Sequence, residues 1–253
     1  MRGKASRWLL LACVVGAWTA VTELGLVRHR ALAGPIEIGH ALWRSLADGA
    51  LEADVSATLG RVVVSVVIGL CAGLPIGLAL GRRTDLSRSL ESWLDFLRAI
   101  PPLLVLPVFL LALGYGDSAR IAVASWAAAL VVSLHVASGL RAADPARERV
   151  LRALGATTWQ RVRWVRMYEL LPHALIGLRQ ATTTAIVVCV VTEMVVGAEH
   201  GLGARALAAQ ISYDAPDLYI AILATGAIGF AISRILAAVE RRWVGWAHPN
   251  STP

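Results

Sequence analysis

The chain has 253 residues, of which 16% are charged and 57% belong to the apolar set, with a mean hydropathy of +0.64. A soluble globular domain carries about 25% charged residues, and so few charges cannot cover the surface of a soluble chain this long. Disorder is excluded by the same figures, because it needs low hydrophobicity and high charge. The chain is read as an integral membrane protein. Its net charge of +7 would suit nucleic acid, but in a membrane protein such a balance reflects orientation, so no nucleic-acid partner is implied. Cys13, Cys71 and Cys189 fall inside apolar stretches without CxxC spacing and read as small packing residues rather than metal ligands or a disulfide.

A spanning helix needs about 20 mainly apolar residues, and six runs of that kind follow in chain order. The first covers residues 8–27. Residues 1–7, the apolar run and Ala31-Leu32-Ala33 together imitate a signal peptide. However, Arg28, His29 and Arg30 separate the run from that cleavage site, and the run is long enough to span, which favours a retained helix. The others are residues 62–81, 99–116, 121–140, 174–198 and 218–239. Barrel strands would be about 9–11 residues with alternating polarity, so the fold class is all-α, polytopic, with about six transmembrane helices. The domain plan is an N-terminal helix and outer loop (1–54), a transmembrane body (55–243) that includes the 141–172 loop, and a tail (244–253). Neither long polar gap, 28–54 or 141–172, has room for a catalytic domain.

Basic residues set the orientation. With the N-terminus inside, 15 of the 24 fall on the cytoplasmic face, seven of them in the 141–172 loop, against five on the outer face. Both termini and that loop are therefore expected in the cytoplasm.

Within the spans, Gly69, Gly73, Gly77 and Gly81 recur every four residues and allow a neighbouring backbone to come close. Pro75 interrupts the stripe and predicts a kink. Ile100-Pro101-Pro102 opens the third span, with Pro107 further on, which suits a helix sheltered by protein or water rather than lipid. Gly73, Gly77, Thr183 and Glu193 are the candidate residues of a translocation path. Glu193 and Arg179 lie about 21 Å apart at helical rise and cannot pair directly. Arg61 and Arg120, near outer span ends, would suit an anionic solute.

The segment from Asp144 to Pro172 carries the most information. Pro145 suits a first helical turn. Val150, Leu151 and Leu154 make a short apolar face, and Gly155 can end the helix in the left-handed conformation. Thr157 or Thr158 can cap a second helix bearing Trp159, Val162 and Val165. Two short helices around a glycine are predicted, and a loop meant only for solvent has no use for Trp159 and Trp164.

This loop resembles the EAA motif of inner-membrane permeases from binding-protein-dependent ABC importers, a pattern of roughly E-A-A-x-x-L-G-A-S-x-W-Q ending in L-P. Leu154-Gly155-Ala156-Thr157, Trp159-Gln160 and Leu171-Pro172 stand in register. Arg98-Ala-Ile-Pro-Pro-Leu, Gly177-Leu178-Arg179, Thr192-Glu193-Met194 and Gly201-Leu202-Gly203 resemble the nitrate/sulfonate/taurine branch. The E-A-A positions themselves hold Arg149, Val150 and Leu151, with Glu148 displaced by one, and Tyr168 stands where a proline is usual. These departures bear on the family's carboxylate contact, not on the helix–glycine–helix geometry.

The resemblance implies a permease subunit that pairs with a second copy of itself as a homodimer in membrane lipid. Two P-loop ATPase subunits would bind ATP and Mg, and an extracytoplasmic binding protein would deliver a small solute such as an alkanesulfonate, taurine, nitrate or a thiamine precursor. Glu148, Arg149, Leu154, Gly155, Ala156, Thr157 and Trp159 are the residues it assigns to ATPase coupling. The chain has no catalytic residues of its own on this reading and no cofactor. No P-loop, G-x-S-x-G or H-E-x-x-H is present, and His135 beside Ser133 has no orienting carboxylate. An ion-coupled secondary transporter or channel is the alternative, but no convincing repeat relates the two halves.

Overall fold

The computed structural model describes residues 13, 15–22, 32–81, 85–142 and 144–244, and among them there is no strand. In chain order the helices are α1 (Pro35–Ala47), α2 (Ala50–Leu80), α3 (Asp85–Ala99), α4 (Pro102–Leu113), α5 (Asp117–Ala142) and α6 (Pro145–Ala153). Then α7 (Thr158–Arg161) runs through a π-helical turn, Val162–Arg166, into α8 (Met167–Val196), followed by α9 (Leu202–Ser212) and α10 (Ala215–Val244). The all-α membrane class is correct. Among the described residues four helices are long and apolar enough to cross a membrane: α2, α5, α7 with α8 as one 39-residue helix, and α10. Most of the expected first span, and its retention or cleavage, lies outside the described residues. Residues 15–22 are helical, and the Trp18 ring stands 5.8 Å from Tyr219 of α10.

The third span departs from expectation. Instead of one helix over 99–116, α3 and α4 meet at 92° across Ile100 and Pro101. Two successive prolines explain it. Each pushes the residue before it out of the α region, and Pro101 itself sits at φ −57°, ψ 130°. Pro102 then opens α4 at its first turn, where a missing N–H costs nothing. By contrast, Pro75 lies inside α2 without ending it.

Two compact units divide the chain: Met1–Thr58 with Glu193–Ala227, and Leu59–Thr192 with Ile228–Pro253. In the second unit the glycine stripe of α2 packs on α5. A Cβ on Gly73 would stand 2.6 Å from the carbonyl oxygen of Ala129, and one on Gly77 would stand 2.6 Å from the Val136 Cβ. On its other side α5 meets α8 in the same way, where a Cβ on Gly177 would lie 2.7 Å from that of His135. The core there is Ala128, Val132, Val136, Leu170 and Ala181. With backbones this close, dispersion contacts take the place of a hydrophobic drive that lipid does not supply.

Several charges within the helices of this unit have partners, while Arg234 of α10 stacks over the Phe230 ring at 5.7 Å. Arg61 and Arg120 are both buried and both meet Asp117, Arg61 at 2.8 Å, so the anion they hold is the protein's own. Arg179 meets Glu240 of α10 at 3.2 Å. His135 donates through Nδ1 to the Val131 carbonyl at 2.9 Å. Arg141 bridges three helices, bonding Glu91 of α3 at 2.6 Å and the last carbonyl of α2, Leu80, at 2.9 Å.

The stripe yields a matched pair of substitutions. Gly73→Ala forces a Cβ against a backbone oxygen that cannot rotate away, and overpacking of this kind costs about 1–3 kcal/mol. Gly60→Ala, with nothing within 4 Å of the new Cβ, gains up to about 1 kcal/mol from helix propensity. Thermal melts of the detergent-purified chain are expected to fall for the first and not for the second, and equal melts would contradict the packing.

Candidate functional site

The loop between α5 and α8 is built by its own end signals. The Asp144 carboxylate caps α6 by accepting from the Ala146 N–H at 2.8 Å, and Pro145 occupies its first turn. At the other end Ala156 N–H donates to Leu151 O at 3.0 Å and Gly155 N–H to Arg152 O at 3.1 Å, with Gly155 at φ +78°. That 6→1 and 5→2 pair is a Schellman closure, and it needs a residue without Cβ at Gly155. Thr157 then caps α7 reciprocally. Its hydroxyl accepts from Gln160 N–H at 3.3 Å, while Gln160 Oε1 accepts from Thr157 N–H at 2.7 Å. Glu169 ties the base together, accepting from Asp144 N–H at 2.9 Å and pairing with Arg147 at 3.0 Å.

This rigid turn presents Leu154 76% exposed and Trp159 71% exposed, with Val150 and Trp164 also exposed. Leu151 and Ala156 are half-buried, Arg149 and Thr157 are exposed, and Val165 is buried. The side chains of Glu148 and Val162 lie outside the described residues. A structured loop that leaves its largest apolar side chains in the open has the character of an interaction surface.

A second constellation lies in the other unit, at the start of α9. Gly201 caps this helix with no side chain, at φ +147°, so the first N–H groups need outside acceptors. They have them. Gly201 N–H donates to Asp54 Oδ1 at 3.0 Å, Leu202 N–H to Thr58 Oγ1 at 2.9 Å, and Gly203 N–H to Glu193 Oε2 at 2.9 Å. The Thr58 hydroxyl shares its proton between both Glu193 oxygens, each at 3.0 Å. Arg205 reaches Asp54 at 3.2 Å, Asp217 at 3.0 Å and the Ser45 hydroxyl of α1. Carboxylates at a helix N-terminus are favoured by its dipole as well as by the hydrogen bonds. Glu193 is fully buried.

The four candidate path residues are found in different settings. Gly73 and Gly77 are taken up by packing on α5. Thr183 is exposed on α8, its hydroxyl donating to Arg179 O at 3.1 Å. Glu193 belongs to the α9 cap. Sequence reasoning missed Asp54, Thr58, Arg205 and Asp217. Asp54 and Thr58 stand four apart, on one helical face, and Gly201-Leu202-Gly203 opens a helix without a capping side chain; those two signals together could have found them. Among the described residues no group of three or more His, Cys, Asp or Glu is arranged to hold a metal ion.

Long apolar helices and a structured loop with exposed apolar side chains define a class, a polytopic membrane protein. Residues 65–245 match the family described as the binding-protein-dependent transport system inner membrane component. The chain is 30% identical over 246 residues to a probable ABC transporter permease protein of Brucella melitensis, covering 97% of this chain and 98% of that one. It is 26% identical over 242 residues to the taurine transport system permease protein of Escherichia coli, covering 93% and 87%. A solved structure of the MetNI methionine ABC transporter in an inward-facing conformation is similar to it at 25% identity and TM-score 0.68, covering 77% of this chain and 96% of that one. The chain belongs to the inner-membrane permease family of binding-protein-dependent ABC importers, which brings with it an ATPase and a substrate-binding protein as partners.

The α9 cap can be tested by Thr58→Val, which keeps the shape and removes the hydroxyl. Leu202 N–H loses its acceptor and Glu193 one of its donors, and a buried group left unsatisfied costs about 1–3 kcal/mol. The melting temperature is expected to drop, with Thr58→Ser restoring most of it. A Thr58→Val chain as stable as the parent would show that the cap does not hold the helix.

Proposed function

We propose that the chain pairs with a second copy of itself to form the translocation path for a small anion, an organosulfonate such as taurine foremost. Import is driven by two P-loop ATPase subunits docked on the α6–α7 loop. Six spans with both termini in the cytoplasm put that loop on the ATP side. The exposed Leu154–Trp159 turn is the observation that carries the reading. Two short capped helices hold Leu154, Ala156 and Trp159 as a preformed knob, so docking costs little ordering entropy.

Leu154, Gly155, Ala156, Thr157 and Trp159 are its contact and shaping residues, with Glu148 and Arg149 at its edge. ATP, with Mg, closes the two ATPases and draws the two loops together. The α8 helices, continuous with α7 through the π turn, carry that movement into the membrane. Hydrolysis and separation reverse it. Gly73, Gly77, Thr183 and Glu193 are assigned to the path and its support: the glycines as a close-packed seam along which α2 and α5 shift, Thr183 as a polar lining group, and Glu193 as the anchor of α9.

Support for an anionic solute comes from relatives described as aliphatic sulfonate permeases in Bacillus subtilis and Escherichia coli, each 26% identical, and from the taurine permease. Nitrate and thiamine precursors are further solutes of the branch the sequence resembles. The delivering protein sets the choice, so thermal shift of the cognate binding protein with taurine, an alkanesulfonate and nitrate is the direct assay. A shift with an uncharged ligand and with none of the anions would overturn the anion reading.

Docking is tested by Ala156→Arg and Trp159→Ala. A central interface tryptophan contributes about 2 kcal/mol or more, so both variants are expected to reach the membrane normally, lose co-purification of the ATPase and lose ATP-driven uptake. Retention of both functions in both variants would make the docking assignment wrong.

A further inference from the structure

We infer that α3 is an interfacial helix that lies along the membrane surface and sinks its Trp93–Phe96 face into the lipid boundary. Four observations place it there. First, its depth is set by Arg141, whose guanidinium bonds Glu91 of α3 at 2.6 Å and the carbonyl of Leu80, the last residue of α2, at 2.9 Å. Arg141 is itself in the last turn of α5. Glu91 therefore sits at the level where two membrane-crossing helices end.

Second, the direction of α3 is set by the proline break. The uncharged α4 packs against α5, whose 26 residues are long enough to cross, and α3 leaves α4 at 92°. A three-residue connection makes α4 and α5 antiparallel neighbours, so α3, at 92° to α4, turns toward the plane of the membrane.

Third, its faces are sorted. Glu91, Leu94, Asp95 and Arg98 line one small cleft with α5 residues, a stripe of i, i+3, i+4 and i+7. Trp93 and Phe96 occupy the far side, 67% and 59% exposed, in an edge-to-face pair with ring centroids 6.4 Å apart. No described part of the chain covers them. Fourth, this apolar surface continues onto α4, where Leu104, Val108 and Leu111 are 70%, 62% and 90% exposed. A helix whose apolar face meets hydrocarbon while its ends turn upward keeps that surface unbroken.

Lipid is the occupant this arrangement suits. Aromatic side chains are favoured at the headgroup level, where one edge is dry and the other wet. An amphipathic helix in the interface buries its apolar face about 5–10 Å into the acyl boundary. The helix is also covalently held between two membrane-inserted segments, α2 and α4, so its lipid contact needs no separate recruitment. Its consequence for the transporter is mechanical: α3 fixes the depth and tilt at which α4 enters, because Arg141 clamps it to the ends of α2 and α5.

The test is nitroxide accessibility in the full chain assembled with its ATPase in lipid nanodiscs. Cys13 and Cys71, the exposed cysteines, are replaced by serine, and Cys189 is buried and escapes labelling. Single labels are placed at Trp93→Cys, Phe96→Cys and, on the opposite face, Asp95→Cys. The expected result is collision with oxygen exceeding collision with a water-soluble nickel chelate at positions 93 and 96, and the reverse at 95. Positions 93 and 96 more accessible to the nickel chelate would place the face in water and overturn the inference. Positions closed to both reagents would mean that protein covers the face and would overturn it equally. If Trp93→Cys lowers the yield, the comparison of 96 with 95 decides alone.

Discussion

Inside hydrocarbon no water is available to satisfy a backbone N–H or C=O, so every helix end or break at membrane depth must find a partner in the protein. Much of this structure answers that constraint. A buried helix start obeys the same rule: Gly201 offers α9 no cap of its own, and three successive N–H groups turn to Asp54, Thr58 and Glu193. Arg205 then neutralises the charge that this arrangement concentrates, drawing on Asp54 and Asp217. The end of α2 is closed by the Arg141 guanidinium. The buried Arg61 and Arg120 share Asp117, and the half-buried Arg179 has Glu240, since an isolated charge within a membrane-spanning segment is expensive.

Packing obeys a related limit. Lipid chains are as apolar as leucine, so helices gain little by hiding apolar surface from them. The α2 glycines let α5 come close enough for dispersion and backbone contact to hold the pair, and Gly177 does the same between α8 and α5. The resulting seam leaves no room for a side chain at Gly73, Gly77 or Gly177.

Signals local to a few residues were legible in the sequence, and those made across the fold were not. Pro145, Gly155 and Thr157, one of two candidate caps, gave the two short helices and the break between them, because caps and closures are made within five residues; the Asp144 cap and the Gln160 partner were not read. Apolar runs gave the long helices because hydropathy needs no neighbours to be read. The α3–α4 bend was missed because Pro101 and Pro102 were read as opening a span, while the charged helix before them had no apolar length to announce it. The α9 cap was missed because Asp54 and Gly201 are 147 residues apart. Asp54 fell at an expected domain boundary, and Arg205 counted only as an outer charge. Arg61 and Arg120 looked available to a solute until Asp117, distant from Arg61 in sequence, was found between them.

A short, capped, apolar knob ties these parts to the function we propose, in which energy enters at the α6–α7 loop and not through an ion held in the membrane. The most direct measurement is uptake by proteoliposomes containing the chain, its ATPase and its binding protein, with ATP supplied on the loop side and no ion gradient imposed. The account predicts accumulation of the solute that requires ATP and all three components. Uptake that proceeds without the ATPase and follows an imposed proton or sodium gradient would contradict it.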